Sequence, residues 1–128
     1  MSGWVWLDSD ALLTAHDEQL AEHGGATGIR DQGLFESALA RPKNLAAYGT
    51  PDAAALAAAY TYGLAKNHAF VDGNKRIALV ALESFLALNR FDLTADDSQT
   101  VMVILSVASG AFNEDDLAMW IRKNQRIR

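Results

Sequence analysis

The sequence predicts an all-α protein, a compact bundle of six helices around one buried central helix, and three observations predict it. Apolar residues recur at three- and four-residue spacing through most of the chain. The run from Ile77 to Leu82, continued by Phe85 to Leu88, is apolar on nearly every face of a helix, as a central helix is. Glycine, proline and Asp/Asn fall between the periodic segments, where turns and caps belong. The 128 residues suit one domain, residues 1–128, with a single core, and a composition 50% hydrophobic and 21% charged is that of a globular chain.

The elements follow in order. Trp4 to Leu7 reads as an extended aromatic segment lying over the domain, after which Asp8 or Ser9 caps a first helix that runs to about His23. Leu12, His16 and Leu20 share one stripe of that helix, so His16 faces inward as a hydrogen-bonded structural residue. The glycines from Gly24 end it. A second helix is expected after Asp31 and should stop near Arg41, because the residue before a proline is pushed out of the helical region. Residues 41–52 contain both prolines and no helical period, and read as an exposed connection with room for a short β-hairpin flap.

A third helix should occupy Ala53 to about Asn67, with Leu56, Tyr60 and Leu64 on its buried stripe. The fourth, the apolar one, should run from about Asn74 to Asn89. Asp97 or Ser98 is expected to cap a fifth helix, and Asn113, followed by three acids, a sixth that buries Leu117, Trp120 and Ile121. The four cations of Ile121 to Arg128 suit the negative end of that last helix. There is no internal repeat and no low-complexity linker.

Composition narrows the function classes. A net charge of −5 disfavours broad nucleic-acid binding, which depends on cations displacing phosphate counterions. The absence of cysteine excludes disulfides and thiolate metal sites and fits a reducing cytoplasm. No stretch reaches the ~18 apolar residues of a membrane span, and the first residues lack a signal-peptide pattern.

The chemistry concentrates in HAFVDGNKRIAL, His68 to Leu79. A helix starting at about Asn74 leaves the N–H groups of Gly73, Asn74 and Lys75 without intrahelical partners, next to the positive end of the dipole. Gly73 has no side chain to keep a ligand off the backbone, and Lys75 and Arg76 add full charges, so a polyphosphate fits. Asp72 beside such a pocket is placed to hold Mg²⁺ against phosphate oxygens. An imidazole, with an ordinary pKa of about 6.5, can take a hydroxyl proton at neutral pH, which suits His68 to general-base work. Taken singly, Asp-Gly is a turn signal and Asn a helix cap. Together they leave two cations where a helix dipole disfavours each by about 0.3–1 kcal/mol, and an anionic ligand removes that conflict.

His68 to Arg76 resembles the Fic/Doc family signature, His-x-Phe-x-Asp/Glu-Gly/Ala-Asn-Gly/Lys-Arg, at every fixed position. The resemblance implies a helical fold that moves part of a nucleotide onto a protein hydroxyl. It implies His68 as base, Phe70 as the anchor of the loop in the core, Asp72 as Mg²⁺ ligand, and Gly73, Asn74, Lys75 and Arg76 as the phosphate-binding turn. Lys75 replaces the glycine usual in nucleotidyl-transferring members, and Leu79 stands where those carry a second arginine. Both departures resemble the Doc, or death-on-curing, toxin branch of bacterial toxin–antitoxin systems. That branch implies transfer of the γ-phosphate of ATP to a protein threonine, with elongation factor Tu the expected target and translation the process blocked. His68, Asp72, Lys75 and Arg76 would supply the positioning and charge neutralisation such transfer needs.

The resemblance also implies an antitoxin acting in trans. Thr14 to Glu18 falls short of the family's self-inhibitory motif, because Gln19 stands where Gly or Asn is needed, and reads as ordinary amphipathic helix. The region around Lys43, Asn44 and Tyr48 is assigned by sequence position to the flap that holds the target segment. Nucleotidyl (AMP) transfer is the alternative reaction, and an inactive nucleotide- or partner-binding module is the alternative of another class.

Overall fold

The computed structural model describes residues 3–128. Side-chain caps set where most of its helices begin. Asp8, Asp31, Asp52, Asp96 and Asn113 each accept the backbone N–H of the residue three ahead. They start α1 (Ser9–His23), α2 (Gln32–Tyr48), α3 (Ala53–Asn67), α5 (Asp97–Ser109) and α6 (Glu114–Lys123). Each such cap contributes about 1 kcal/mol by satisfying a donor the helix cannot pair internally. The remaining helix, α4 (Asn74–Leu88), has no side-chain cap. The first cap is thus Asp8, and the cap of α5 is Asp96, one residue ahead of the expected Asp97 or Ser98. Gln99 selects it by bonding back to the Asp96 N–H, which completes a capping box.

The six-helix, all-α architecture is the one expected, but its central helix is α3. Every residue from Ala53 to Ala65 is buried except Ala55 and Tyr62. Alanine makes this possible, because small side chains let α2, α4 and α6 approach from different sides. Where α3 meets α2, a Cβ on Gly63 would lie 3.2 Å from the Ala38 Cβ. Thr61, the polar residue in this stretch, donates its hydroxyl to the Ala57 carbonyl at 2.8 Å, so its burial leaves nothing unpaired. Helix α4 buries one face, through Ile77, Ala78, Ala81, Leu82, Phe85 and Leu86, while Leu79 and Val80 are half-buried. Its all-round apolarity reflects a second, partial cover. The segment before α1 lies across it with Trp4 and Trp6 against Phe85, and Asn89 holds that segment by bonding both the N–H and the C=O of Val5.

Two further expectations fail. Helix α2 does not stop before Pro42 but passes through it to Tyr48, so residues 41–48 form neither a loop nor a hairpin. Proline costs a helix its bond to the carbonyl four residues back. Tertiary packing overrides that cost here. Phe35, Ala38 and Pro42 are buried on one face, and Arg41 donates to Glu114 at 2.7 Å, tying α2 to the start of α6. The basic tail is not all helix either. After Lys123 the chain forms β2 (Gln125–Ile127), which pairs antiparallel with β1 (Phe91–Leu93), Asp92 opposite Arg126. Arg122 is occupied by Asp52, and Arg128 by Asp92. No helix among the described residues is long and apolar enough to cross a membrane.

Two outcomes follow from this packing. Gly63→Val should destabilise the fold by about 1–3 kcal/mol in urea unfolding, since overpacking at a helix contact forces the helices apart. Asp52 both caps α3 and accepts two bonds from Arg122, and that guanidinium, ahead of the Ala55 N–H, holds its carboxyl below the usual carboxylate range. A depressed folded-state pKa adds stability above the unfolded value, about 3.9, and loses it as pH falls through the folded value. The stability gap between wild type and Asp52→Asn, read by urea unfolding, should therefore be constant near neutrality and narrow below about pH 4.

Candidate active site

Helix α3 ends in a sharp turn at His68, whose backbone is left-handed at φ 51°, ψ 48°. That conformation costs a side-chain-bearing residue about 1–2 kcal/mol, so something must hold it. Arg30 does, donating Nε to the His68 carbonyl at 2.8 Å. Its neighbours form an extended strip along the motif. The Ala69 carbonyl accepts from Arg30 and Asp31 N–H at 2.7 and 3.0 Å, the Val71 N–H donates to Gly28, and Ile29 pairs with Phe70 as an antiparallel bridge. The imidazole of His68 is left exposed at the rim.

Phe70 points the other way and is buried. Its ring stacks on His16, centroids 3.8 Å apart, and meets the edge of Phe35 at 5.4 Å. Asn74 locks its backbone, with Oδ1 accepting the Phe70 N–H and Nδ2 donating to the Phe70 carbonyl, both at 3.0 Å. The Asn74 side chain is therefore committed inward, and what it can offer a ligand is its backbone N–H.

The uncapped turn comes next. Gly73, at φ 77°, is the N-cap of α4 and has no side chain to cap it. Its N–H is not free, as the sequence suggested, because it donates to Asp72 Oδ1 at 2.8 Å. The open donors are instead those of Asn74, Lys75 and Arg76, which carry no hydrogen bond among the described residues. No acidic residue lies in this first turn, in contrast to α1, α5 and α6. The sequence puts two cations at the positive end of a dipole and leaves out the cap that its other helices have, an arrangement matched to an anion.

A cleft of about 540 Å³ opens over this turn, bordered by His68, Asp72, Lys75 and Arg76 from the motif and by Gly24 and Gly25 from the end of α1. Glycine is required at 25. Its φ is +127°, and a Cβ would come within 2.9 Å of Asp72 Oδ2. His68 and Lys75 also border a more apolar cleft of about 480 Å³ against Met102 and Leu105 of α5. Lys43, Asn44 and Tyr48, expected on a target flap, lie in α2 and line neither cleft. The extended segment that does lie along the motif is 28–31. Sequence reasoning passed over Arg30 because a lone arginine in a short connection carries no spacing signal. It placed His16 inward without the residue it touches.

Residues 6–86 match the profile of the Fic/DOC family, and the chain belongs to that family, in its Doc branch. It is 43% identical over 94 residues to the Toxin Doc of Mycolicibacterium smegmatis, covering 71% of this chain and 69% of that one. It is 27% identical over 118 residues to the Protein kinase doc of Escherichia phage P1, covering 91% and 93% of the two chains.

Asn74→Ala should cost about 1–3 kcal/mol in urea unfolding, because the Phe70 N–H and C=O would both lose their partner in a part-buried position.

Proposed function

We propose that this chain is a Doc-like toxin that transfers the γ-phosphate of ATP to a protein hydroxyl, with a threonine of elongation factor Tu as acceptor and arrest of translation as the result. The observation that carries the reading is the uncapped first turn of α4, its three open N–H groups flanked by Lys75 and Arg76, beside the exposed His68. Three phosphates with up to four negative charges are the ligand such a turn suits. In the reaction the acceptor oxygen bonds to the γ-phosphorus as the bond from that phosphorus to the β-bridging oxygen breaks. ADP leaves, and His68 takes the acceptor's proton. Little covalent work falls to the protein, so catalysis rests on where Lys75, Arg76 and the open amides hold the phosphates.

The residues present fit Mg²⁺ of the substrate-bridging kind. Among the described residues no three His, Cys, Asp or Glu side chains cluster, so there is no all-protein cage. A single carboxylate, Asp72, sits beside the phosphate turn, and Mg²⁺ commonly takes one or two carboxylates together with substrate phosphates. Asp72 Oδ1 accepts one N–H and keeps a second lone pair, so its internal bond does not prevent ligation. Bound there, the ion would neutralise charge on the transferred group.

Phosphoryl rather than nucleotidyl transfer is favoured by Lys75 in the turn and by Leu79, one helical turn past Arg76, which packs half-buried against the core and brings no second cation. The printed name of the phage relative, a protein kinase, points the same way. Restraint of the toxin is assigned to a cognate antitoxin in trans. Glu18, the nearest candidate for an internal inhibitor, is exposed on α1 and lines neither cleft at His68.

Incubation with purified elongation factor Tu and ATP labelled at either the γ or the α phosphate tests the reaction. Label from the γ position alone is expected, and label from the α position alone would establish AMP transfer in its place. His68→Ala should reduce transfer by about 10²–10⁴-fold, the usual contribution of a positioned general base. Growth arrest on expression should vanish with it, whereas equal toxicity of the variant would point to a binding module.

A further inference from the structure

His16 lies on α1, remote in sequence from the motif, and is 2% exposed. Its Nε2 is 2.7 Å from the carbonyl oxygen of Asp72. A carbonyl can only accept, so Nε2 carries the hydrogen and donates it. The peptide group joining Asp72 to Gly73 is thus held at both ends. Its C=O is held by His16, and its N–H holds the Asp72 carboxylate at 2.8 Å. The backbone on either side is fixed separately, Phe70 by Asn74, Val71 by Gly28, and the Gly73 carbonyl by the Ile77 N–H. Gly73 itself offers no steric resistance to rotation of that peptide, because glycine populates both signs of φ.

We propose that His16 is a positioning residue for the transfer site, fixing the 72–73 peptide plane and through it the direction of the Asp72 carboxylate. The reading rests on the proposed phosphoryl transfer only for its kinetic consequence. Ring and donor are separable contributions. The ring stacks on Phe70 and packs so close to Gly73 that a Cβ there would lie 3.2 Å from Nε2, while the N–H alone restrains the peptide.

His16→Phe keeps an aromatic ring and removes the donor. His16→Gln keeps an N–H donor of similar reach and removes the ring. For the Phe variant the expected result is near-wild-type thermal stability, a kcat lowered about 10–100-fold, the usual effect of removing a residue that orients a metal ligand, and an unchanged KM for the acceptor protein. For the Gln variant it is a lower Tm with kcat within a few-fold of wild type. Amide hydrogen exchange of Gly73 in the nucleotide-free protein is read alongside, faster in the Phe variant and protected in the Gln variant. Wild-type turnover and wild-type Gly73 exchange in His16→Phe would overturn the proposal, as would losses in both variants that only track the folded fraction. Should wild type transfer no phosphate at all, the proposed reaction fails and the exchange of Gly73 still decides the role of His16.

Discussion

The burial of Phe70 is the contact on which the rest of the site depends. Its ring is held between His16 of α1 and Phe35 of α2, and its backbone is clamped by Asn74 at the start of α4. Three helices therefore meet on one residue, and the short stretch from His68 to Gly73 has its middle nailed to the core. With Phe70 inward, the geometry of the flanking residues leaves His68 exposed on one side and Asp72 at the mouth of α4 on the other. A loop without that plug would have few internal contacts and would populate many conformations.

The same clamp explains how the fold tolerates an electrostatic conflict. Lys75 and Arg76 sit where the helix dipole opposes them, and the cap that starts each of the other helices is absent at α4. Asn74 could have capped the helix, but its side chain is committed to Phe70. The first turn of α4 keeps its place because Ile77, Ala78, Ala81 and Leu82 are buried immediately behind it. Burial of that face supplies several kcal/mol, above the roughly 2–3 kcal/mol that an absent cap and two adverse charges cost. The molecule spends stability on a first turn whose amides stay open, as the proposed anion site requires.

Much of this was legible in the residues themselves. Caps such as Asp8 and Asn113 announce helix starts because a short carboxylate or amide can reach the third N–H whatever the tertiary context. The motif was legible because its polar residues are crowded into nine positions. Less legible were features decided at a distance. Pro42 reads as a stop, yet contacts on both sides carry α2 through it. Apolarity marked α4 as central, whereas the alanines of α3, individually weakly hydrophobic, mark the place where three helices pack closest. The partners of His68 and Asp72, namely Arg30 and His16, lie 38 and 56 residues away in sequence, and no local pattern connects them.

The proposed chemistry requires the first turn of α4 to bind phosphate. Titration of ¹⁵N-labelled protein with Mg²⁺ and a non-hydrolysable ATP analogue, followed by amide chemical shifts, tests it most directly. The largest changes are predicted for the Asn74, Lys75 and Arg76 amides, with Gly25 and Gly73 following as cleft neighbours. Saturable binding that leaves those three amides unmoved, or no binding at millimolar analogue, would contradict the account.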